Sequence, residues 1–401
     1  MVKMNSAKPG FPDAARELLL RCCSVSGPLA DTRALSSLVE RGVDWERFLA
    51  LANRNSVTPM VAARLTAEGV ARLPAHVARA LRLGYEVNAL RTHHLAACAA
   101  EIADCFASAG VPAMALKGPA LAISAYGDLA MRVFADLDFM VRVEDLPRAA
   151  EALGRAGYSS PSYRADIVES GFFPDVSLDF SRQDSVVDLH WRLSPVYFPF
   201  GPAGEQVWNR TAEIELLGRR IRILGAADSI LFQACHGSKH GWMTLGQICD
   251  FARLIAGAGS LGWTSLLDDA RRTRSLRMLL LGADLADSLS LCEIPRELLD
   301  AARRDSRVAA LSRRVQRGIF DTRRSAELDE WLIALGTIES GRDRVRYLFE
   351  RIAAPKMSDR ALMPLPQILY PLYYVTRPLL VAIKHRERLL RKGNRIDASQ
   401  S

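Results

Sequence analysis

The chain is poor in lysine and has no pair of cysteines at the spacing that binds zinc. Lysine occurs at seven positions, so arginine supplies most of the positive charge behind the formal net charge of +8. The seven cysteines are odd in number and form no C-x-x-C pair, so we expect buried thiols in a reducing cytoplasm. Asp13, Arg16 and Glu17 interrupt the first apolar stretch, which argues against a secretory signal.

The overall composition is that of a globular protein. Of the 401 residues, 49% are hydrophobic and 24% are charged, and the mean hydropathy is +0.02. These values exclude a collagen, a coiled-coil rod and a disordered tail. The length predicts two or three domains, with a core large enough to need no disulfide or metal for stability.

The N-terminal region, residues 1–110, is predicted to be helical. Apolar residues recur at spacings of three and four, Asp44 is a candidate N-cap, and Gly110 is a candidate C-cap of the last helix. Helices are therefore expected over 13–23, 32–40, 44–53, 58–66 and 75–109.

At Val111 the pattern changes to short apolar runs typical of strands. The predicted elements are strands at 111–116 and 137–141, a helix at 144–156, and hairpins that pair 177–180 with 186–191 and 212–217 with 220–224. Residues 111–225 would thus form an α/β core with a mixed sheet. A helical domain (226–360) would complete the pocket, and an apolar, then basic tail (361–401) would follow. The expected fold class is α+β, a small α/β unit embedded between helical regions.

Two aspartates, Asp136 and Asp138, flank Leu137 at the start of a predicted strand. Residues two apart in a strand point to the same side, so the two carboxylates would lie together. Two ionised acids in that position repel each other, and a hard divalent cation removes the repulsion. Magnesium fits, because it binds carboxylate oxygens and leaves positions for water and phosphate.

A third acid, Asp188, stands among apolar residues of the strand predicted at 186–191. If that strand lies beside 137–141, three carboxylates converge on one point, which leaves room for two metal ions. The alternative is that Asp188 forms a salt bridge with an arginine on a half-exposed face.

These acids belong to a series of motifs that resembles a known family. The series is Leu116-Lys117-Gly118, Tyr126-Gly-Asp128, Arg132, Asp136-Leu-Asp138, Val187-Asp188-Leu-His190-Trp191, Cys235-His236-Gly-Ser-Lys239-His240 and Leu245-Gly-Gln-Ile-Cys-Asp250. It resembles the nucleotidyltransferase-fold proteins of the DNA-polymerase-β superfamily and, more narrowly, their bacterial branch described as uncharacterised nucleotidyltransferases. The resemblance extends from the helical leader to about residue 260, and it implies the nucleotidyltransferase fold for the α/β unit.

The resemblance implies a magnesium centre. Asp136 and Asp138 would bind Mg²⁺, and Asp188 would complete the triad and help to activate or deprotonate an acceptor hydroxyl. Lys117 and Gly118 occupy the place of the superfamily's Gly-Ser turn, which cradles nucleotide phosphates, but the serine is absent here. Gly118 would let a phosphate approach the backbone at a helix N-terminus, and Lys117 would add a positive charge.

Two residues near the acids have two interpretations each. Arg132 either contacts the triphosphate or balances the acidic cluster. His190 points to the same side of its strand as Asp188, so it either positions substrate or holds that carboxylate by a hydrogen bond.

Three residues on the next predicted helices are further candidates for the nucleotide or acceptor pocket. His236, Lys239 and Asp250 either line that pocket or make helix caps and interhelical hydrogen bonds. His236 and His240 have the four-residue spacing of two metal ligands, but no third ligand is evident nearby, which argues against zinc.

The C-terminal tail has three interpretations. Its tyrosines and the basic residues up to Lys392 could lie on an anionic membrane surface or bind nucleic acid. The favoured interpretation is a terminal helix packed on the core with a solvated basic face. Arg377, Pro371 and Pro378 interrupt the apolar stretch, which argues against a spanning helix.

The predicted function is transfer of a nucleoside monophosphate from ATP or another NTP to a hydroxyl or phosphate group. The acceptor would be a small molecule, peptide or glycan, because members of this family are associated with peptide or polysaccharide tailoring. Two alternatives stay open. One is a toxin-like transferase that modifies RNA or protein, and the other is a catalytically silent nucleotide-binding module; the three acids argue against silence and the missing serine argues for it.

Overall fold

A mixed sheet of six strands lies at the centre of the structure, and helices pack on both of its faces. The computed structural model describes residues 13–25, 32–66, 73–161, 163, 176–201, 204–321, 326–355, 359 and 363–377. The strands are β1 (Ala113–Ala115), β2 (Leu137–Val141), β3 (Ser177–Arg182), β4 (Ser185–His190), β5 (Thr211–Leu216) and β6 (Arg219–Leu224). Their order across the sheet is β3-β4-β2-β1-β6-β5.

The helices that precede β3, apart from a single turn at 119–121, lie where the sequence analysis predicts them. They are α1 (Ala14–Cys23), α2 (Thr32–Arg41), α3 (Trp45–Arg54), α4 (Thr58–Leu65), the long α5 (Ala75–Ser108), the single turn α6 (Pro119–Leu121) and α7 (Leu146–Arg155). Asp44 caps α3 as predicted, because its side chain accepts a hydrogen bond from the backbone N–H of Arg47. The short α6 continues as a π-helical segment, Ala122–Tyr126, which the sequence analysis did not predict.

The later helices form most of the second half of the chain. They are α8 (Gly204–Asn209), α9 (Ala226–Lys239), α10 (Leu245–Ala256), α11 (Trp263–Arg272), α12 (Leu276–Ser288), α13 (Arg296–Arg304), α14 (Ser306–Phe320), α15 (Ala326–Thr337) and α16 (Gly341–Ala353). The expected α+β class, a mixed sheet between helical regions, is confirmed. Among the described residues, no helix is both long enough and apolar enough to cross a bilayer.

The strand directions bring the motif-bearing strands together. Strand β2 runs antiparallel to β1 and parallel to β4, and β4 forms an antiparallel hairpin with β3. The expectation that 137–141 and 186–191 are neighbours is therefore confirmed. The second hairpin, β5 and β6, joins the sheet through a parallel bridge between β6 and β1.

The two faces of the sheet differ in what covers them. Leu137 and Phe139 of β2 point into a core shared with α5 and α7, where the rings of Phe139 and Phe106 meet edge to face at 5.7 Å. Met140 points to the opposite face and joins the core of the helical regions. Asp138 lies on the same side of the strand as Met140, so it faces the helical regions.

The helices before and after the sheet share one core. Buried residues of α1, α3 and α4 cluster with those of α9 to α15, for example Leu19 and Phe48 with Leu279. Asn55 links the two regions, because its side-chain and backbone carbonyls accept the N–H groups of Leu245 and Gly246 at the start of α10, both at 3.0 Å. The domain boundaries at 110, 225 and 360 stay a prediction.

The described part of the tail packs on the α/β core. Tyr370 and Tyr373 are buried in the same cluster as the α5 face of the sheet, and the Tyr373 hydroxyl donates to the carbonyl of Met363 at 2.5 Å. Arg377 is buried and forms an ion pair with Asp359. The basic residues after 377, on which the membrane and nucleic-acid hypotheses depend, lie outside the described residues.

We expect Phe139→Ala to lower the free energy of unfolding by about 3–5 kcal/mol, because it leaves a cavity between β2 and α5. Leu90→Ala is the matched control, since Leu90 lies on α5 with 76% of its surface exposed; its effect should stay within about 0.5 kcal/mol. Urea unfolding of both variants measures the difference. Equal effects would contradict the packing of α5 on this face of the sheet.

Candidate functional site

Two aspartates lie directly opposite each other on neighbouring parallel strands. In the pairing of β2 with β4, Asp138 is the partner of Asp188, and Met140 is the partner of His190. The side chains at 138, 188 and 190 therefore share one face of the sheet. Asp138 is almost completely buried, with 2% of its surface exposed.

Two basic side chains hold the buried carboxylates. Lys117 follows β1, and its Nζ lies 2.8 Å from Oδ1 of Asp138. Nε2 of His190 lies 3.3 Å from the same oxygen and 2.9 Å from Oδ2 of Asp188, so the imidazole bridges the two acids. In the structure, Lys117 and His190 thus neutralise the pair of acids.

These contacts shift the pKa values of all three groups. Burial raises the pKa of Asp138, but the charge of Lys117 and the hydrogen bond from His190 outweigh burial, and the pKa lies below its ordinary value. Burial also raises the pKa of Asp188, but the hydrogen bond from His190 outweighs the effect of burial, and the pKa lies below its ordinary value. Burial lowers the pKa of His190, but its hydrogen bonds to both acids raise that pKa to about 9. At neutral pH the acids are ionised and the imidazole carries a proton.

Each acid retains an oxygen that could bind a cation. Among the described residues, Oδ2 of Asp138 and Oδ1 of Asp188 are buried and have no hydrogen-bond partner. One oxygen of each acid and a nitrogen of His190 lie within 4.8 Å of one another. Buried acceptors without partners are costly, and a divalent cation with oxygen ligands would satisfy them. The residues present therefore fit a metal ion.

Asp136, the third predicted metal ligand, stands outside this cluster of three. It precedes β2, so the alternation of side chains along the strand does not place it beside Asp138. It is also more exposed than Asp138 and Asp188. It does line the same cavity. Partial burial and the charge of Asp138 raise its pKa. Its role as a metal ligand stays a prediction.

Gly118 lets the backbone that follows Lys117 pass close to the backbone of Asp136. Its φ is +57°, and a Cβ at this position would lie 3.1 Å from the carbonyl oxygen of Asp136, so only glycine fits here without strain. The helix that begins at Pro119 is a single turn. It continues as the π-helical segment to Tyr126, so Gly118 stands at a helix N-terminus as expected, and a phosphate contact there stays a prediction.

A cavity of about 580 Å³ opens between this face of the sheet and helix α9. Its sheet side holds Lys117, Gly118, Arg132, Asp136, Asp138, Asp188 and His190, and its helix side holds His236, Lys239 and His240. The volume is typical of a small-molecule site. Nine of the ten candidate residues predicted from the sequence thus line one cavity.

The helix side of the cavity carries three basic side chains, of which the two histidines are neutral. Burial and the charge of Lys117 lower the pKa of His236, and burial and the charge of Lys239 lower the pKa of His240 to about 3. Burial also lowers the pKa of Lys239. Among the described residues, no carboxylate or other group forms an ion pair or hydrogen bond with Lys239. Its amino group is available to an anion in the cavity.

Asp250, the tenth candidate, lies behind the cavity wall. Its carboxylate accepts hydrogen bonds from Nε and Nη2 of Arg132 at 3.0 Å each and from the hydroxyl of Tyr126 at 2.6 Å. It thus makes the interhelical contact that was the alternative to lining the pocket. Nη1 of Arg132 is buried without a partner among the described residues, while Arg132 lines the cavity. Asp250 therefore orients Arg132.

Sequence reasoning missed a fourth acid on the same face. Asp179 of β3 is the register partner of Asp188, so Asp138, Asp188 and Asp179 form a row across three strands. Partial burial and the charge of Asp188 raise the pKa of Asp179. The sequence analysis left residues 181–185 between the two strands, which centres the turn on Gln183, whereas Arg182 pairs with Ser185 and Gln183 has a φ of +48°. The observed pairing of the two strands is therefore shifted by one residue from the expected pairing. A prediction with a two-residue turn would have placed Asp179 opposite Asp188.

Comparison with known proteins gives one match. The model of a family described as uncharacterised nucleotidyltransferase matches residues 41–290, a span that contains the whole sheet and every residue of the cavity from Lys117 to Gln247. Neither the curated proteins nor the solved structures gave a match. The family match covers more than half of the chain and agrees with the resemblance of its motifs. The chain therefore belongs to the uncharacterised nucleotidyltransferase family.

Proposed function

We propose that the protein is a Mg²⁺-dependent nucleotidyltransferase that moves a nucleoside monophosphate from ATP or another NTP to a hydroxyl or phosphate acceptor. The family supports nucleotidyl transfer in general. The metal, the nucleotide and the acceptor are our proposal. The observation that carries it is the pair Asp138 and Asp188, each with one oxygen that has no partner among the described residues, in the wall of a cavity that Lys239 also lines.

Asp138 and Asp188 would hold the metal, with Asp136 at the mouth as a further ligand. Their oxygen atoms suit Mg²⁺, which binds carboxylates and substrate phosphates together. When bound, the ion supplies positive charge that stabilises the transferring phosphate and lowers the pKa of the acceptor hydroxyl.

The cationic groups would bind the triphosphate. Lys239 on α9 has no acidic partner among the described residues, and Nη1 of Arg132 is free while Asp250 holds the rest of its guanidinium. Lys117 contacts Asp138 and lines the cavity, so it would stabilise charge that develops on the phosphates. The neutral imidazoles of His236 and His240 would donate hydrogen bonds.

Nucleotidyl transfer would then take place beside the residues on the sheet. The acceptor hydroxyl gives its proton to solvent water and forms a bond to the α-phosphorus. The bond from the α-phosphorus to the bridging oxygen breaks, and pyrophosphate leaves with that electron pair. His190 holds Asp188 in position through its 2.9 Å contact. The site thus provides ligands for the metal, an anchor for the leaving group and a contact that orients Asp188.

We expect Asp138→Asn to lower the affinity for Mn²⁺, used as a substitute for Mg²⁺, and the rate of Mg²⁺-dependent pyrophosphate release by at least about 100-fold each. The substitution removes the negative charge of the carboxylate and leaves a neutral amide in its place. Calorimetric titration with Mn²⁺ and a pyrophosphate assay with ATP and candidate acceptors measure the two effects.

Asp104→Asn is the control for this prediction. Asp104 is an exposed residue of α5 that pairs with Arg219 far from the cavity residues. It should leave both quantities unchanged. Wild-type Mn²⁺ affinity and pyrophosphate release in folded Asp138→Asn would show that the site is not a metal-dependent transferase.

We expect Lys239→Met to weaken ATP binding about tenfold, because it removes a charge-assisted contact to phosphate. Lys239→Arg keeps the charge and should retain most of the affinity. The dissociation constant for a non-hydrolysable ATP analogue measures both, and Mn²⁺ affinity should not change in either variant. A loss of the same size in both variants would point to a packing role for Lys239.

A further inference from the structure

A second cavity, of about 470 Å³, adjoins the first, and Leu193 forms part of the wall of both. Its volume is again typical of a small-molecule site. The proposed transfer needs two substrates, and the first cavity contains the groups assigned to the nucleotide. The second cavity has no role in that assignment.

The strands that carry the acids continue into the second cavity. On β2, Asp138 lines the first cavity and Met140 lines the second. Residues two apart on a strand lie about 7 Å from each other on the same side. At the end of β4, His190 lines the first cavity, and Trp191 and Arg192 line the second. A molecule in the second cavity would therefore lie within reach of the paired carboxylates.

The wall of the second cavity is rich in aromatic and proline side chains. Trp191, Pro195, Phe198, Phe200 and Trp208 line it. Such side chains provide flat apolar surfaces against which rings pack. The lining therefore favours a ligand with a flat apolar body.

Three arginines line the same cavity, and one of them has no partner among the described residues. Arg274 contacts both oxygens of Asp343 at 3.2 Å, and Arg346 lies 3.5 Å from Glu350. Arg192 is exposed and has no hydrogen bond or ion pair with any described residue. Its guanidinium group can bind a carboxylate or phosphate with two hydrogen bonds.

We propose that the second cavity binds the acceptor, a small molecule with a flat aromatic or apolar body and one anionic group that Arg192 receives. This inference rests on the proposed function, because it assigns the second substrate of the same reaction. A bound acceptor would extend along the sheet from Arg192 past Leu193, with its reacting oxygen toward Asp188.

The test uses 1-naphthyl phosphate as a probe, because it combines a flat apolar body with one phosphate. Calorimetric titration of the full chain should give one binding site, with and without a saturating non-hydrolysable ATP analogue and Mg²⁺. Inorganic phosphate alone and 1-naphthol alone should each bind at least about tenfold more weakly. Arg192→Gln should weaken binding of the probe about tenfold. Arg220→Gln, which changes an exposed arginine of β6, should leave it unchanged.

Three outcomes would overturn the assignment. They are loss of probe binding when the ATP analogue is present, unchanged affinity in Arg192→Gln, and equal losses in the Arg192 and Arg220 variants. Titration of the analogue itself separates this inference from the proposed function. If the analogue binds and the probe does not, the acceptor site alone fails; if the analogue does not bind with Mg²⁺, the proposed function fails and the acceptor assignment fails with it.

Discussion

The parallel pairing of β2 with β4, with Asp138 opposite Asp188, is the constraint on which the rest of the site depends. Two carboxylates at one register position on neighbouring strands repel each other, and burial increases the cost. Lys117 and the protonated His190 offset that cost in the structure. Each acid still keeps one buried oxygen without a partner among the described residues. The fold thus places two acids, balanced by two basic groups, in the wall of one cavity.

Positive charge lines the same cavity as the two acids. Lys117, Lys239 and Arg132 bring positive charge into the same cavity, and burial keeps His236 and His240 neutral. A polyanion bound together with a divalent cation would satisfy both sides of the cavity, since the cation pairs with the carboxylates and the polyanion with the basic groups. The cavity beyond Leu193 extends this face of the sheet toward a second substrate.

Much of this arrangement could be predicted from local pattern. Alternation in 137–141 and 186–191 identified the strands and the sides on which Asp138 and Asp188 lie, but the adjacency of the two strands was a condition that the alternation did not establish. Whether Arg132 contacts substrate or balances an acid could not be predicted, because the answer depends on Asp250, more than a hundred residues away. Asp179 was missed because the register of a hairpin depends on the backbone conformation of one turn residue, Gln183. Long-range pairing and turn geometry, unlike periodicity, have no strong local signal.

The central claim is that Asp138 and Asp188 share one divalent cation. Anomalous diffraction from crystals soaked in Mn²⁺ and a non-hydrolysable ATP analogue tests it most directly. The account predicts a manganese peak within about 2.5 Å of a carboxylate oxygen of both residues, with the phosphates of the analogue on the side of Lys239. A manganese ion bound elsewhere, or none at these two acids while the analogue occupies the cavity, would contradict it.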